Sequence, residues 1–153
     1  MSIWIGVDPG QKGGYAVVGS DGSAKAYPWD DAAFIKHMNG ATMMRDLEGH
    51  KLIAAVEKVG AMPHQGVTSM FNFGKSFGYI LGVLEACKIP YQLIPPATWK
   101  REFSIVGKDK SASIEVCKRL YPDVSLLPTE RCRKESDGMA DALCLATYAK
   151  RKL

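Results

Sequence analysis

The stretch Ile3 to Gly14, IWIGVDPGQKGG, constrains the fold more than any other part of the chain. Ile3, Ile5 and Val7 alternate with Trp4, Gly6 and Asp8, the two-residue period of a strand. Pro9 has no amide hydrogen for a sheet and Gly10 tolerates unusual dihedrals, so Asp-Pro-Gly ends the pairing and leaves Asp8 at the strand's C-terminal tip. Gly13 and Gly14 then open a second apolar run, Tyr15 to Val18. The tripeptide alone is an ordinary turn. A carboxylate at a strand tip beside a glycine turn is also how a protein holds a metal or a phosphate at the end of a sheet. The choice between the two rests on whether other carboxylates converge on Asp8.

A chain of 153 residues is within the range of a single domain, residues 1–153, and is long enough to bury a real core. No apolar run approaches the ~20 residues of a membrane span, and MSIWIGVD lacks the basic, apolar, small-residue order of a signal peptide. The expectation is a soluble intracellular protein in the reducing cytoplasm. Cys87, Cys117, Cys132 and Cys144 form no CxxC pair and have no matching histidine spacing, which argues for free thiols over a zinc site.

Charge is unevenly placed. Residues 1–96 carry eight basic and eight acidic side chains, whereas residues 97–153 carry twelve and eight, so the whole +4 excess lies in the last third. Acids there that bind metal instead of facing solvent would leave the outward potential more positive still, which suits a phosphate backbone.

The chain begins as a three-stranded meander: Ile3 to Asp8, Gly14 to Gly19 and, after the Ser20 to Ser23 turn, Ala24 to Pro28. Asp30 or Asp31 caps a helix carrying Ala33, Phe34, Ile35 and Met38, which Asn39-Gly40 stops or kinks before Met43 to Leu47. Lys51 to Glu57, KLIAAVE, is an apolar run too short for a typical helix and reads as a buried parallel strand that also ends on an acid. A loop, Lys58 to Gly66 with Met62, His64 and Gln65, precedes a helix from Ser69 to Cys87. That helix carries Gly74, Gly78, Gly82 and Ala86 at four-residue spacing. Each glycine costs a helix about 1 kcal/mol against alanine, so the stripe calls for a close contact. The sheet beneath is favoured over a partner subunit's helix, with Phe73, Phe77, Tyr79 and Ile80 partly free for a dimer. Tyr91 to Ile94 is a further strand, and Ala97 to Phe103 a short helix bearing Trp99, Lys100 and Arg101.

SIVGKDK, residues 104–110, reads as a loop holding Lys108 and Lys110; Ser111 or Ser113 caps the helix that follows it to Tyr121. Asp123 to Lys134 is irregular and ends in the basic group Arg131, Arg133 and Lys134, either a solvated loop or a backbone-binding one. Ser136 caps a last helix, DGMADALCLATYAKRK, on which Asp137 and Asp141 share one face a turn apart. Asp137 also suits the helix dipole. Asp141 lies deeper among Met139, Ala140, Ala142, Leu143 and Leu145, where an acid is either paired or ligating a cation.

The order of these acids, with Asp8 in GVDPGQKGGYAVV, Glu57 in AAVEKV, and Asp137 and Asp141 in SDGMADALCLA, resembles the RuvC-type Holliday junction resolvases, especially the short phage-borne members. IPPATWKREF, GKDKSAS and the glycine-striped helix are similar to that family too, so the resemblance covers nearly the whole chain. It implies an α/β, ribonuclease H-like fold: a mixed sheet of three antiparallel and then two parallel strands, flanked by helices. It further implies a homodimer that nicks opposed strands of four-way DNA, using two Mg²⁺ ions, with Mn²⁺ as a substitute, held by Asp8, Glu57, Asp137 and Asp141. Such ions acidify the attacking water and stabilise the leaving oxygen. Asp8 is expected to bridge the ions, and Lys100 and Lys110 match basic residues near the scissile phosphate. Arg101, Lys108, Arg131, Arg133, Lys134 and His64 join them as expected DNA contacts.

Two features depart from the family's pattern. Its last two acids are commonly three apart, but the residue three before Asp141 is Gly138. It often places a stacking aromatic just after the second acid, where this chain has Lys58, Val59 and Gly60. His64 or Phe71 could substitute, with a core role favoured for Phe71. Other readings are a broader flap or fork nuclease of the same fold, or a non-catalytic DNA-binding module. Sugar kinases and actin-like ATPases also start with a strand, an Asp and glycines, but need two such domains around the nucleotide. Proofreading-type exonucleases place a second acid where this chain has Gly10.

Overall fold

In the computed structural model, which describes residues 1–60 and 63–153, strands and helices follow one another in the order that the apolar periods predict. The loop reading at Met62 lies outside the described residues. Strands β1 (Ser2–Asp8), β2 (Gly14–Gly19) and β3 (Ala24–Pro28) form the antiparallel meander. After helix α1 (Asp31–Glu48), β4 (Lys51–Glu57) pairs parallel with β1. Helix α2 (Val67–Ala86) leads to β5 (Tyr91–Ile94), which pairs parallel with β4. Helices α3 (Pro96–Glu102), α4 (Ser111–Leu120) and α5 (Asp137–Lys152) complete the chain. The sheet order is β3-β2-β1-β4-β5, a mixed five-stranded sheet flanked by five helices. No helix among the described residues is long and apolar enough to cross a membrane.

Each sheet face has its own core. Ile5, Val7, Ala54 and Val56 pack with Phe34, Met38, Ile80 and Leu84 of α1 and α2. On the other face Ala16, Val18 and Ala55 pack with Trp99, Val116 and the apolar side of α5. Strand alternation therefore assigns Trp4, Gly6 and Asp8 to the α5 face, and Glu57 with Ala55 to the same face.

Helix α5 lies almost directly on β1 and β2. A Cβ at Gly6 would come within 2.0 Å of the Ala142 carbonyl oxygen and 2.3 Å of the Ala146 nitrogen. At the other end of the contact, a Cβ at Gly138 would meet the Lys12 carbonyl oxygen at 2.1 Å. Only glycine fits at these crossings, and they set both the height and the register of α5 over the strand tips.

Several local expectations are corrected. Helix α1 runs unbroken through Asn39 and Gly40, held by Asp30 accepting from the Ala33 amide at its start and by Gly49 in a left-handed conformation at its end. Neither Ser111 nor Ser113 caps α4: Asp109 accepts from the Ser111 amide at 2.9 Å and takes the capping role just ahead of the helix. The glycine stripe of α2 does not pack on the sheet. Among the described residues, a Cβ at Gly74, Gly78 or Gly82 would have no neighbour within 4 Å, because Ile80, Val83 and Leu84 hold the sheet side and turn the stripe outward. The face expected to be partly free is correspondingly drawn inward, with Ile80 fully buried and Phe73 and Phe77 half-buried. Phe71 is no core residue either; it is 72% exposed.

Candidate active site

Strand geometry alone brings the first two acids together. Val7 pairs with Val56 across the parallel β1–β4 ladder, so Asp8 and Glu57 follow it at the same sheet end and on the same face. The Gly138 and Gly6 crossings then hold the first turns of α5 over that end, bringing Asp137 and Asp141 beside them. All four carboxylates line one cleft of about 510 Å³, together with the Pro9–Gly13 turn, Phe73, Lys100, Lys108, Lys110 and Ser113.

The cleft has an excess of buried negative charge. Asp8, Glu57 and Asp141 are half-buried, and none of them forms an ion pair with a described residue. Burial pushes the Asp8 carboxyl well above the usual carboxylate range, and repulsion from Glu57, Asp141 and Asp137 adds to it. Asp141 is pushed up to about 6, again by burial first, with repulsion from Glu57 and Asp137 against the pull of the nearby Ser113 hydroxyl. Glu57 is raised by burial, moderated by the Trp99 indole and by Lys100. Lys100 draws all three downward, so its ammonium faces the group.

The orientation of Glu57 comes from a residue with no obvious chemical signature. Trp99 is fully buried, and its Nε1–H donates to Glu57 Oε2 at 2.8 Å. Ser113 of α4 is likewise buried and lines the cleft with Asp141, its hydroxyl donating to the Lys110 carbonyl at 3.5 Å. The sequence marks Trp99 only as part of a short helix and Ser113 only as a candidate cap. A buried indole always needs an acceptor, which was the available signal. Phe73 was also missed as a wall of the cleft; its ring lies 3.3 Å from where a Cβ on Gly10 would stand.

Among the described residues, no three Asp, Glu, His or Cys side chains stand close enough to form a ready cation cage. Uncompensated carboxylates repel one another, and Mg²⁺ keeps several waters and needs only one or two carboxylates. The half-buried oxygen donors of Asp8 and Asp141, with raised proton affinity and no ion-pair partner among the described residues, fit such a cation.

Of the expected DNA contacts, Lys100, Lys108 and Lys110 line the cleft, whereas Arg101, Arg131, Arg133, Lys134 and His64 are exposed and lie outside it. Gly138 also accounts for the unusual spacing of the last two acids. The Lys12–Gly13 backbone occupies the space any side chain there would need, so the second carboxylate stands one residue earlier, at Asp137.

No family model and no curated protein matches the sequence. Solved structures do resemble the fold. RuvC of T. thermophilus in complex with a Holliday junction substrate is 15% identical, with 99% of this chain and 97% of that one covered and a TM-score of 0.57. T. thermophilus RuvC by itself is 14% identical, with 97% and 96% covered and a TM-score of 0.48. The yeast mitochondrial Holliday junction resolvase Ydc2 is also 14% identical, with 94% and 75% covered and a TM-score of 0.43. At such identities the likeness is one of fold, and it extends from end to end of this chain: the protein has the ribonuclease H-like fold of RuvC.

Proposed function

We propose that this single-domain chain is a Mg²⁺-dependent endonuclease that nicks opposed strands of four-way DNA junctions as a homodimer. The observation that carries this reading is the meeting of Asp8, Glu57, Asp137 and Asp141, from three separate segments, in one cleft edged by lysines. The fold supports it, since the RuvC that resembles this chain is one bound to a Holliday junction substrate.

Asp8, Glu57, Asp137 and Asp141 would hold the cations. Two bound Mg²⁺ ions, or Mn²⁺ in their place, supply an acidified water and a stabilised leaving oxygen. The chain supplies the rest. Trp99 aims Glu57, and Lys100 and Lys110 neutralise the phosphate as it enters among the carboxylates. Arg101, Lys108, Arg131, Arg133 and Lys134 extend the positive surface along the backbone. Phe71 and His64, both exposed, are flat side chains available to stack on junction bases.

Dimerisation is supported by the outward face of α1 and α2. Among the described residues the glycine stripe of α2 is open, a groove of about 360 Å³ lined by Ile35, Tyr79, Gly82 and Val83 runs between the helices, and Met43 and Leu47 of α1 are 61% and 77% exposed. An isologous pair through this face presents two equivalent clefts to two equivalent strands.

The test is to incubate purified protein with labelled four-way, fork, flap and linear DNA, with and without Mg²⁺. Paired nicks in the four-way substrate that need Mg²⁺ are expected. Asp8→Asn should bind the junction yet cut it at least about a thousandfold more slowly, since several kcal/mol of charge stabilisation is lost. Undiminished cutting by Asp8→Asn or in chelator overturns the nuclease reading, and equal cutting of linear duplex removes the junction selectivity.

A further inference from the structure

A second groove, of about 520 Å³, opens from the catalytic cleft and shares the Gly10–Gln11 turn and Phe73 with it. Its far wall is the α2 face bearing Thr68, Ser69, Asn72 and Ser76. Thr68, Asn72 and Ser76 recur every fourth residue and so form one row of neutral hydrogen-bonding groups along the helix. Ser69 Oγ accepts a long hydrogen bond, 3.4 Å, from Gln65 Nε2 and is exposed at the groove. Among the described residues, no lysine, arginine, aspartate or glutamate lines this groove. The whole stretch from Lys58 to Leu84 contains no acid.

We propose that this groove is the track of the substrate strand as it leaves the carboxylates, with Ser69, Asn72 and Ser76 donating hydrogen bonds to its phosphodiester oxygens. The assignment rests on the nuclease reading and adds the path of the DNA to it. A polyanion is excluded from surfaces bearing uncompensated carboxylates, and the acid-free wall of α2 is continuous with the cleft where the cut would occur. Hydroxyl and amide groups hold phosphates without neutralising them, and so displace few of the cations condensed on the DNA. Their contribution to affinity is therefore insensitive to salt, unlike that of Lys100, Lys108 and Lys110.

The experiment measures binding of a fluorescent four-way junction with Ca²⁺ in place of Mg²⁺, so that the cleft carboxylates are compensated while the DNA stays uncut, across a salt series, for the full chain and its variants. Ser69→Ala/Asn72→Ala/Ser76→Ala should weaken binding about tenfold at every salt concentration, leaving the log–log salt slope as in the parent. Lys110→Ala should instead lower that slope by about one. Asn72→Asp, which keeps the side chain's size and adds a negative charge, should weaken binding on its own, so the result does not depend on the triple variant folding. Parent-like affinity in the triple variant and in Asn72→Asp overturns the groove assignment while the nuclease reading stands. A salt slope that falls in the triple variant overturns it as well, because the contacts would then act through cations. A parent protein that binds no branched DNA removes both readings together.

Discussion

At the level of single residues, the cleft is a place where the metal-free fold is under electrostatic stress. Asp141, with its carboxyl pushed up to about 6, is ionised at neutral pH against the preference of its surroundings, and Asp8 and Glu57 are displaced in the same direction. In the unfolded chain these acids titrate near 4. The folded state therefore holds more protons than the unfolded state between about pH 4 and 6, and stability falls as pH rises through that window. In chelator, the melting temperature should climb as pH is lowered from 8 toward 5. Asp141→Asn should raise the unfolding free energy at pH 8 by on the order of 1–2 kcal/mol, with a higher melting temperature, and flatten its pH dependence. A melting temperature at pH 8 unchanged by Asp141→Asn contradicts the stress. The Trp99–Glu57 bond makes a different prediction. Trp99→Phe keeps most of the buried ring but removes the donor, so Glu57 should bind protons more readily and cleavage should drop about tenfold, the equivalent of one hydrogen bond to a charged group. The acid limb of the pH–rate profile should move to higher pH, a readout that a packing defect alone would not shift.

At the level of elements, the docking of α5 on β1 is decided by backbone contact at two glycines. Gly138→Ala would drive a methyl group into the Lys12 carbonyl and the Gly13 Cα, atoms that cannot swing aside as a side chain tip can. A loss of about 3 kcal/mol or more is expected in denaturant unfolding, far beyond the small cost or gain of this exchange on an exposed helix. Gly138→Asp, which would recreate the three-residue acid spacing, should be worse still and inactive. A variant at Gly138 with parental stability would show that α5 does not lie where the Asp137 and Asp141 assignments need it. These contacts also explain how a nearly continuous apolar helix such as α5 can carry two acids: its start projects past the strand ends, while Ala142, Leu145 and Ala146 remain over the sheet.

At the level of the whole molecule, the outward stripe of α2 separates monomer stability from assembly. Gly78 sits in a helix with nothing within 4 Å of its missing Cβ, so Gly78→Ala should stabilise the isolated chain by about 1 kcal/mol through helix propensity. Gly78→Leu should instead block the close approach of a second helix. Sedimentation is expected to show the parent as a dimer and Gly78→Leu as a monomer. A parent that stays monomeric at high concentration removes the two-fold match to the junction, and a Gly78→Leu dimer places the interface elsewhere.

Much of this was legible from spacing. The alternation in IWIGVD, the turn at Asp-Pro-Gly, the apolar KLIAAVE and the Ser136-capped last helix are encoded between near neighbours, where pleat, turn and helix geometry act directly. Those same periods put an acid at the end of β1, at the end of β4 and in the opening turns of α5. Tertiary structure alone decided which side of α2 met the sheet, because Ile80 and Leu84 compete for the same core as the distant Ile5, Val56 and Phe34. It also left Phe71 outside, buried Trp99 against Glu57, and opened the hydroxyl-lined groove next to Asp8's cleft. The physical reason is that a residue's local periods fix which way it points from its own helix or strand. Only the contacts of segments far apart in sequence determine what it points at.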